Sequence, residues 1–222
     1  MKKLILIIAE IFSIIWKLVP NKIRIGIITG LIITESRSSS LIEAFKNLFR
    51  IRDNLDWVVN ERAMAYGSGE HPKHRLTNYH NFFIERINDF DKVIDIGCGY
   101  GAVARSIANK YINRTVVGVD MDEGRLSQAQ RAKNPPNLKF VFADATKNIP
   151  DGDWDVVVLS NVLEHISDRV SFLKDIKKHA KPKKFLIRVP NFERDWQIAL
   201  RKEVGAYYYS DADHKIEHTI IE

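Results

Sequence analysis

The residues best suited to chemistry in this sequence are glycines and acids that follow short apolar runs. Residues 93–96 form such a run, which carries Asp95 and is followed at residues 102–110 by the pattern of a helix. The turn between them contains three glycines and the single cysteine of the chain: Gly97, Cys98, Gly99 and Gly101. A strand, a glycine turn and a helix offer free backbone N–H groups to a ligand, which can come close because side chains are missing.

Three further apolar runs end in polar residues. They are residues 115–120 with Asp120, residues 138–145 with Asp144 and Ala145, and residues 154–161 with Ser160 and Asn161. Nearly all-apolar strands are typical of a parallel sheet buried on both faces, and such sheets bind ligands at the carboxyl ends of their strands. An acid one βαβ unit after the glycine turn can accept hydrogen bonds from the two hydroxyls of a ribose. The four runs therefore predict one cofactor site.

Together, residues 95–101, 119–120, 143–145 and 161–165 resemble the motifs of class I S-adenosylmethionine (SAM)-dependent methyltransferases. The resemblance is to the small-molecule branch, methyltransferase types 11 and 12, and it covers about residues 90–191. It implies an α/β fold with a Rossmann-like, doubly wound sheet, here preceded by an N-terminal helical extension. It also implies that SAM is the cofactor and that the protein is an enzyme transferring its methyl group.

The resemblance assigns a role to each matching residue. Gly97, Gly99 and Gly101 would line the methionine part of the cofactor, and Asp95 would orient the turn or the cofactor amine. Asp120 would hold the ribose. The other expected cofactor contacts are Cys98 in the turn, Met121 after the second strand, Asp144 and Ala145 at the adenine edge, and Ser160 and Asn161 at the methionyl end.

Other interpretations of the same residues stay open. Residues 97–102 also satisfy the G-x-G-x-x-G/A pattern of a dinucleotide oxidoreductase. Asp95 disfavours that alternative, because a carboxylate repels a pyrophosphate but attracts a cationic sulfonium or amine. Asp144 and residues 161–165 have no set place in the dinucleotide pattern either. Two alternatives remain: a scaffold subunit that has the SAM-binding fold but no catalytic turnover, and a glycine turn that binds no ligand.

A methyl group on a sulfonium is already activated, so its transfer depends mostly on proximity and orientation. A hydroxyl acceptor must also lose its proton, which favours a general base. His165 is the candidate base, because it follows the fourth strand and its ordinary pKa suits proton transfer near neutrality. Glu164 is a second candidate. Alternatively, both residues cap the following helix or bind the backbone.

Length and composition bound the remaining possibilities. The 222 residues can hold one α/β domain with a sizeable core and appendages. A single cysteine excludes a disulfide within the chain and favours a reducing cytoplasm. No Cys/His pairs stand at ligand spacing, so no metal site is expected. The net charge is +6, but no basic stripe is interleaved with aromatic residues, so no nucleic-acid partner is expected.

The N-terminal 34 residues form a separate, apolar segment. Residues 4–19 and 23–33 are apolar runs on either side of Pro20, and their polar residues recur at helical spacing. The first run is too short and too charged to span a bilayer, and no signal-peptide cleavage site follows it. An in-plane amphipathic helix on the inner face of the membrane fits best, with its basic residues near the headgroups. These are Lys2, Lys3, Lys17, Lys22 and Arg24. A helix packed on the domain or in a dimer interface is the alternative.

The remaining sequence predicts two further segments. Residues 35–89 would form a helical lid on the substrate side, with a polar linker at 35–40 and a helix at 74–88. In the resembling family such helices cover the acceptor, which implies contacts from five residues: Tyr66, His71, His74, Arg75 and Tyr79. Residues 90–222 would form the SAM-binding core. After a fifth strand at 184–189, too little sequence follows for the last helix and two strands of the family, so we expect a truncated sheet edge or a partner that completes it.

The acceptor is the least constrained part of the prediction. A basic enzyme beside a membrane would suit a hydroxyl of a small molecule or glycan, such as a lipid-linked sugar in cell-surface polysaccharide synthesis. An isoprenoid quinone or another lipid is the alternative acceptor. The oligomeric state is not predicted.

Overall fold

The computed structural model describes residues 2–37, 39–69 and 71–220, with side chains from residue 6 onward. The chain divides into two compact units, Met1–Arg62 with Ala199–Tyr208, and Ala63–Ile198 with Tyr209–Glu222. The division into segments 1–34, 35–89 and 90–222 stays a prediction.

The described residues of the larger unit hold a parallel sheet with the order β3-β2-β1-β4-β5. Its strands are β1 (Lys92–Ile96), β2 (Thr115–Asp120), β3 (Leu138–Phe142), β4 (Val156–Ser160) and β5 (Lys184–Arg188). Because β1 pairs with both β2 and β4, the chain moves outward on one side of β1 and then returns to the other. Open α/β sheets bind ligands at such a switch point. The predicted α/β architecture is confirmed.

The helices of this unit precede β1 or connect the strands. They are α4 (Lys73–Thr77), α5 (Asn81–Ile84), α6 (Ala102–Lys110), α7 (Glu123–Arg131) and α8 (Arg169–His179). Short 3-10 turns follow β4 at Leu163–His165 and β5 at Phe192–Arg194. The smaller unit contains α1 (Lys2–Trp16) and α2 (Asn21–Glu35), and parts of α3 (Leu41–Tyr66) and α9 (Trp196–Glu203) belong to it.

The sheet is buried on both faces in its centre. Successive side chains of a strand point to opposite faces, and Val93 packs in one core cluster with Ile107 of α6. Its neighbour Ile94 packs in the other cluster with Ile176 of α8. The strand ends therefore rest on a core that fixes their positions.

The edge strands depart from the predicted burial. In β3, Val141 is 41% exposed and Phe142 is 60% exposed. The prediction that every strand is buried on both faces is wrong for β3 and also for β5, where Ile187 and Arg188 are exposed. Each of these strands pairs with a neighbour on one side only.

A single helix over residues 74–88 is also a wrong prediction. Helix α4 ends where Asn78 takes a left-handed conformation with φ of 49°, and α5 follows after a turn. Asparagine tolerates this conformation better than most residues. Beyond the break, Phe83 is fully buried and the His80 ring lies 2.7 Å from the Ser106 hydroxyl.

The smaller unit is held by a buried arginine. The Arg201 guanidinium donates to both carboxylate oxygens of Asp53, at 2.7 and 3.0 Å, and lies 4.4 Å from the centre of the Phe49 ring. The predicted break at Pro20 is confirmed, because α1 ends at Trp16 and α2 begins at Asn21. Of the helices in the described ranges, none combines the length and the apolar character needed to cross a bilayer.

Candidate active site

The glycine turn after β1 needs its glycines for two different reasons. Gly97, Gly99 and Gly101 have φ angles of 72°, 53° and 74°, a region that side chains disfavour. A Cβ on Gly97 would lie 2.7 Å from a Val162 methyl carbon, and one on Gly101 would collide with the Phe140 ring. A Cβ on Gly99 would meet no described atom within 4 Å. Gly99 therefore leaves open space, whereas the other two allow close packing.

The amides of this turn already have partners inside the protein. The N–H groups of Gly97 and Cys98 donate to the Val119 carbonyl at 2.8 and 3.0 Å, and that of Gly101 donates to the Cys98 carbonyl. The N–H of Gly99 donates to the Asp120 carboxylate. The expectation of free N–H groups is therefore wrong for these four residues, because the turn folds back against β2. The turn shapes the cavity rather than supplying these donors to a ligand.

Asp120 joins the ends of β2 and of the glycine turn. One carboxylate oxygen accepts from the Gly99 N–H at 2.6 Å, and the other accepts from the Asp122 N–H at 2.8 Å. The side chain is only 8% exposed, yet the residue lines a pocket at the sheet edge. Each carboxylate oxygen has two lone pairs, so both can accept a further hydrogen bond from a ligand hydroxyl.

Asp95 is a buried carboxyl below this turn. It is 1% exposed, and its Oδ2 atom has no hydrogen-bond partner among the described residues. Burial raises the pKa of Asp95 to about 7, the nearby Asp120 charge adds to this, and a hydrogen bond from the Ala104 backbone opposes it. A cation beside Asp95 and Asp120 would relieve both desolvation and repulsion. The open space at Gly99 and the orphaned oxygen of Asp95 thus fit a cationic ligand such as SAM.

Asp144 follows β3 at the same edge of the sheet. A hydrogen-bonded ion pair with Lys147 and hydrogen bonds from Thr146 lower the pKa of Asp144 to about 2. Asp144 is therefore ionised across the physiological range, and its partners fix its position next to Ala145.

The pocket brings together seven of the residues predicted to form the site. They are Gly97, Asp120, Met121, Asp144, Ala145, Asn161 and His165. Five other predicted cofactor contacts do not line it: Asp95, Cys98, Gly99, Gly101 and Ser160. The Cys98 sulfur lies 2.9 Å from where a Cβ on Gly118 would stand, and burial, followed by the charges of Asp95 and Asp120, raises the pKa of this thiol.

Several pocket residues escaped the sequence analysis. The apolar wall consists of Ile96, Val119, Val162, Ile166 and Phe172, and the polar additions are Arg125, Thr146 and Asp213. Position within a strand was a usable signal for Ile96 and Val119, and Thr146 directly follows the predicted run 138–145. No local pattern pointed to Asp213, which comes from the C-terminal segment.

His165 and Glu164 occupy the 3-10 turn after β4 but differ in environment. The Nδ1 atom of His165 lies 3.1 Å from Asp213 Oδ2, and the residue faces the pocket. Glu164 does not line the pocket and is fully buried. Burial raises the pKa of Glu164, which the charges of His165 and Arg188 partly oppose.

The five predicted acceptor contacts do not line this pocket. Tyr66, His71 and Arg75 line a separate surface cleft. His74 and Tyr79 belong to a hydrogen-bonded chain in which the Tyr79 hydroxyl lies 2.9 Å from His74 Nδ1. The chain continues from His74 to His80 at 3.1 Å. Burial, followed by the His74 charge, lowers the pKa of His80 to about 4.

Arg188 connects that chain with the pocket. Its guanidinium lies 4.5 Å from the centre of the Tyr79 ring and donates to Asn161 Oδ1 at 2.6 Å. Asn161 has a φ of 59°, and its own N–H donates to the Arg188 carbonyl. The ends of β4 and β5 are thus locked together beside the pocket.

Comparison with known proteins identifies the class of this domain. A family model described as "Methyltransferase domain" matches residues 94–187. The (S)-tetrahydroprotoberberine N-methyltransferase of Eschscholzia californica is 31% identical over 102 residues, which is 44% of this chain and 29% of that protein. The ubiquinone biosynthesis O-methyltransferase of Aliivibrio fischeri is 32% identical over 108 residues, covering 46% and 45%. The ribosomal protein L11 methyltransferase of Thermotoga maritima is 30% identical over 143 residues, covering 63% and 51%.

Solved structures share the fold at low sequence identity. The magnesium protoporphyrin IX methyltransferase of Synechocystis PCC 6803, solved with bound SAH, has a TM-score of 0.51 and 16% identity, covering 67% of this chain and 68% of that one. The small RNA methyltransferase HEN1 has a TM-score of 0.53 and 21% identity, covering 67% of this chain and 20% of that one.

Residues 94–187 are a methyltransferase domain of the class I SAM-dependent type, and the cofactor of this class is SAM. The chain spans about half or less of the length of the curated relatives described above. Their names include an N-methyltransferase, an O-methyltransferase and a ribosomal protein methyltransferase. The likeness therefore defines the cofactor-binding half of the reaction and leaves the acceptor to be proposed.

Proposed function

We propose that this protein transfers the methyl group of SAM to a hydroxyl of a small-molecule or glycan acceptor, next to a membrane surface. The observation that carries the proposal is the convergence of Asp120, Asp144 and Asn161 on one pocket at the switch point of the sheet. Open sheets of this type bind ligands at that edge.

The proposed cofactor contacts follow from this arrangement. Asp120 accepts hydrogen bonds from the ribose hydroxyls, and Asp144 with Ala145 meets the adenine edge. Gly97 lines the pocket, and the open space at Gly99 gives room for the methionine part. Asp95 attracts its ammonium group, which supports the proposal because Oδ2 of Asp95 otherwise has no partner in the described part of the chain.

On the acceptor side, the chain must position a hydroxyl and take its proton. SAM supplies a methyl group already activated for attack, so orientation is the main requirement. We propose that His165 accepts the hydroxyl proton and that the Asp213 carboxylate, 3.1 Å from His165 Nδ1, stabilises the imidazolium that forms by its charge. A base of this kind contributes about 100-fold or more to the rate.

Replacing His165 with Gln is therefore expected to lower kcat about 100-fold while leaving SAM affinity within about twofold. The measurement is transfer of radiolabelled methyl from SAM to an accepted substrate, combined with calorimetric SAM binding. His179→Gln is the matched control, because the His179 Nδ1 atom also lies 3.1 Å from a carboxylate, that of Asp151, but at an exposed site. Equal kcat values for the His165 variant and the wild type would remove His165 from the mechanism.

Transfer of the same radiolabelled methyl group identifies the acceptor. Extracts are separated into lipid-linked glycan, quinone, protein and RNA fractions, and each is offered to the protein with labelled SAM. We expect label in the glycolipid fraction. Label in RNA would contradict the predicted absence of nucleic-acid partners, and no transfer to any fraction despite tight SAM binding would favour a scaffold subunit.

Membrane contact is proposed from the exposed apolar surface of α1 and α2. Ile11 and Ile15 of α1 are 64% and 67% exposed, and α2 has no buried residue. Positive charge comes from Lys17, which directly follows α1, and from Lys22 and Arg24 of α2. Apolar side chains mixed with basic residues are typical of helices that lie in the headgroup region of an anionic bilayer.

Replacing Ile11 and Ile15 together with Asp is expected to reduce binding to anionic phospholipid vesicles at least about 100-fold, because each isoleucine contributes about 2 kcal/mol on burial. Vesicle flotation of the full chain measures this. Ile112→Asp is the control, since Ile112 is 68% exposed in the other unit. If the wild type does not float, or is a stable oligomer through these helices, a second copy rather than lipid covers them.

A further inference from the structure

Electron-pair donors from three side chains come together beside the pocket. One nitrogen or oxygen atom from each of Glu164, His165 and His214 lies within 4.8 Å of those of the other two. The rings of His165 and His214 meet edge to face, with their centroids 4.7 Å apart. Two of these residues belong to the turn after β4, and the third belongs to the C-terminal segment.

Glu164 is an unsatisfied buried acid in this cluster. It is fully buried, and neither of its carboxylate oxygens has a hydrogen-bond partner in the described ranges. The Lys215 N–H donates to the Glu164 backbone carbonyl and not to the side chain. A buried carboxyl without hydrogen bonds is unfavourable unless a proton or a cation compensates it.

One of the two histidines, His214, is held in the way that metal-binding histidines usually are. The Nδ1 atom of His214 lies 3.2 Å from the buried Glu217 carboxylate, which also accepts the Ser210 N–H and pairs with Arg194. When Nδ1 donates to that carboxylate, Nε2 keeps its lone pair. A carboxylate behind a histidine fixes the tautomer and orientation of many metal-binding imidazoles. The Nδ1 atom of His165 lies 3.1 Å from Asp213 Oδ2 but has no hydrogen-bond partner in the described part of the chain, so this buried nitrogen is also unsatisfied.

We propose that Glu164, His165 and His214 bind one divalent transition-metal ion. Two imidazoles and one carboxylate suit Zn²⁺ or Mn²⁺, whereas Mg²⁺ prefers oxygen ligands throughout. Bonds of about 2.0–2.2 Å would bring these atoms closer together than the 4.8 Å within which they now lie.

The ion would join the turn after β4 to the C-terminal segment at the mouth of the SAM pocket. Its binding does not rest on the proposed function, because it is measured without SAM or acceptor. A nitrogen of His165 that holds the ion cannot also accept a proton, so the base role proposed for His165 belongs to the ion-free protein. In the loaded protein the ion would instead polarise an acceptor hydroxyl.

The test is calorimetric titration of the chelator-treated full chain with Zn²⁺, Mn²⁺ and Mg²⁺. We expect one Zn²⁺ or Mn²⁺ ion per chain, much weaker Mg²⁺ binding, and a rise in Tm with saturating ion. Glu164→Gln and His214→Asn should each weaken binding more than about tenfold, and Glu217→Gln should weaken it about 10- to 100-fold. His179→Asn, at the exposed pair with Asp151, should bind the ion as the wild type does.

Two outcomes would overturn the proposal: no stoichiometric ion on the folded wild type, or unchanged affinity in folded Glu164→Gln and His214→Asn. In the first case Glu164 is simply a protonated acid, and Glu164→Gln should leave Tm unchanged with and without ion. If the variants do not fold, electron paramagnetic resonance of the Cu²⁺-loaded wild type gives the answer. The spectrum is expected to show coupling of the Cu²⁺ ion to two imidazole nitrogens. A spectrum without any coupled imidazole nitrogen would contradict the site. SAM binding, measured separately, tests the proposed function independently of these results.

Discussion

Replacing Asp120 with Ala is expected to weaken SAM binding by more than tenfold. The change removes a carboxylate proposed to accept two hydrogen bonds from the ribose, each contributing about 1.5–3 kcal/mol to a charged partner. It also removes the acceptor of the Gly99 N–H, which holds the glycine turn against β2 at 2.6 Å. Both effects act in the same direction, and isothermal titration of the folded variant with SAM measures their sum.

Matched variants separate ribose binding from general destabilisation. Asp120→Asn keeps the shape and one acceptor oxygen, so it should lose less affinity than Asp120→Ala. Asp155→Ala is the control, because the Asp155 carboxylate accepts the Lys92 N–H at the opposite end of the sheet. That variant should be less stable but should bind SAM normally. Wild-type affinity in Asp120→Ala would exclude the ribose assignment.

SAM affinity of the wild type is expected to fall about tenfold per pH unit below about pH 7. Burial raises the pKa of Asp95 to about 7 in the free protein. A bound ammonium or sulfonium favours the ionised carboxyl, so binding releases a proton wherever Asp95 starts protonated. Above the pKa no proton is released and the slope vanishes. SAM titrations between pH 5.5 and about 8.5 measure this slope of affinity against pH. Asp95→Asn is the reference, because only the titration of SAM itself remains in that variant. Equal slopes in both proteins would contradict the role of Asp95.

The same pKa shift makes an opposite prediction for stability without SAM. The folded protein holds the Asp95 proton more tightly than the unfolded chain, so this group favours folding at low pH. That contribution is lost as pH rises through about 7. Asp95→Asn should therefore raise the free energy of unfolding at pH 8 by a few kcal/mol, at roughly 1.4 kcal/mol per unit of pKa shift, and much less at pH 4. Urea unfolding at both pH values checks this sign.

The strand ends were predictable from sequence because their signals are local. A β-branched run followed by an acid or a glycine needs no distant information, and Asp120, Asp144 and Asn161 all line the pocket as expected. The sequence could not show that backbone N–H groups of the glycine turn are already hydrogen-bonded inside the protein, because this depends on the Val119 carbonyl of another strand. It also could not separate central strands from edge strands, and the exposure of Phe142 follows from strand order alone.

The site features that the sequence did not predict depend on contacts between distant parts of the chain. The pairing of His165 with Asp213 joins residues with no shared motif. The sequence showed no metal-ligand spacing because His214 is far from Glu164 along the chain, and only the fold brings them together. The predicted acceptor contacts were also affected: the left-handed turn at Asn78 breaks the expected helix and places His74 and Tyr79 in a hydrogen-bonded chain outside the pocket.

The most direct test of the central claim is a crystal structure of the full chain grown with SAH. The proposed site requires the ribose hydroxyls within hydrogen-bond distance of Asp120, the adenine beside Asp144 and Ala145, and the amino group next to Asp95. An SAH molecule bound elsewhere, or Asp120 and Asp144 without any contact to it, would contradict the account.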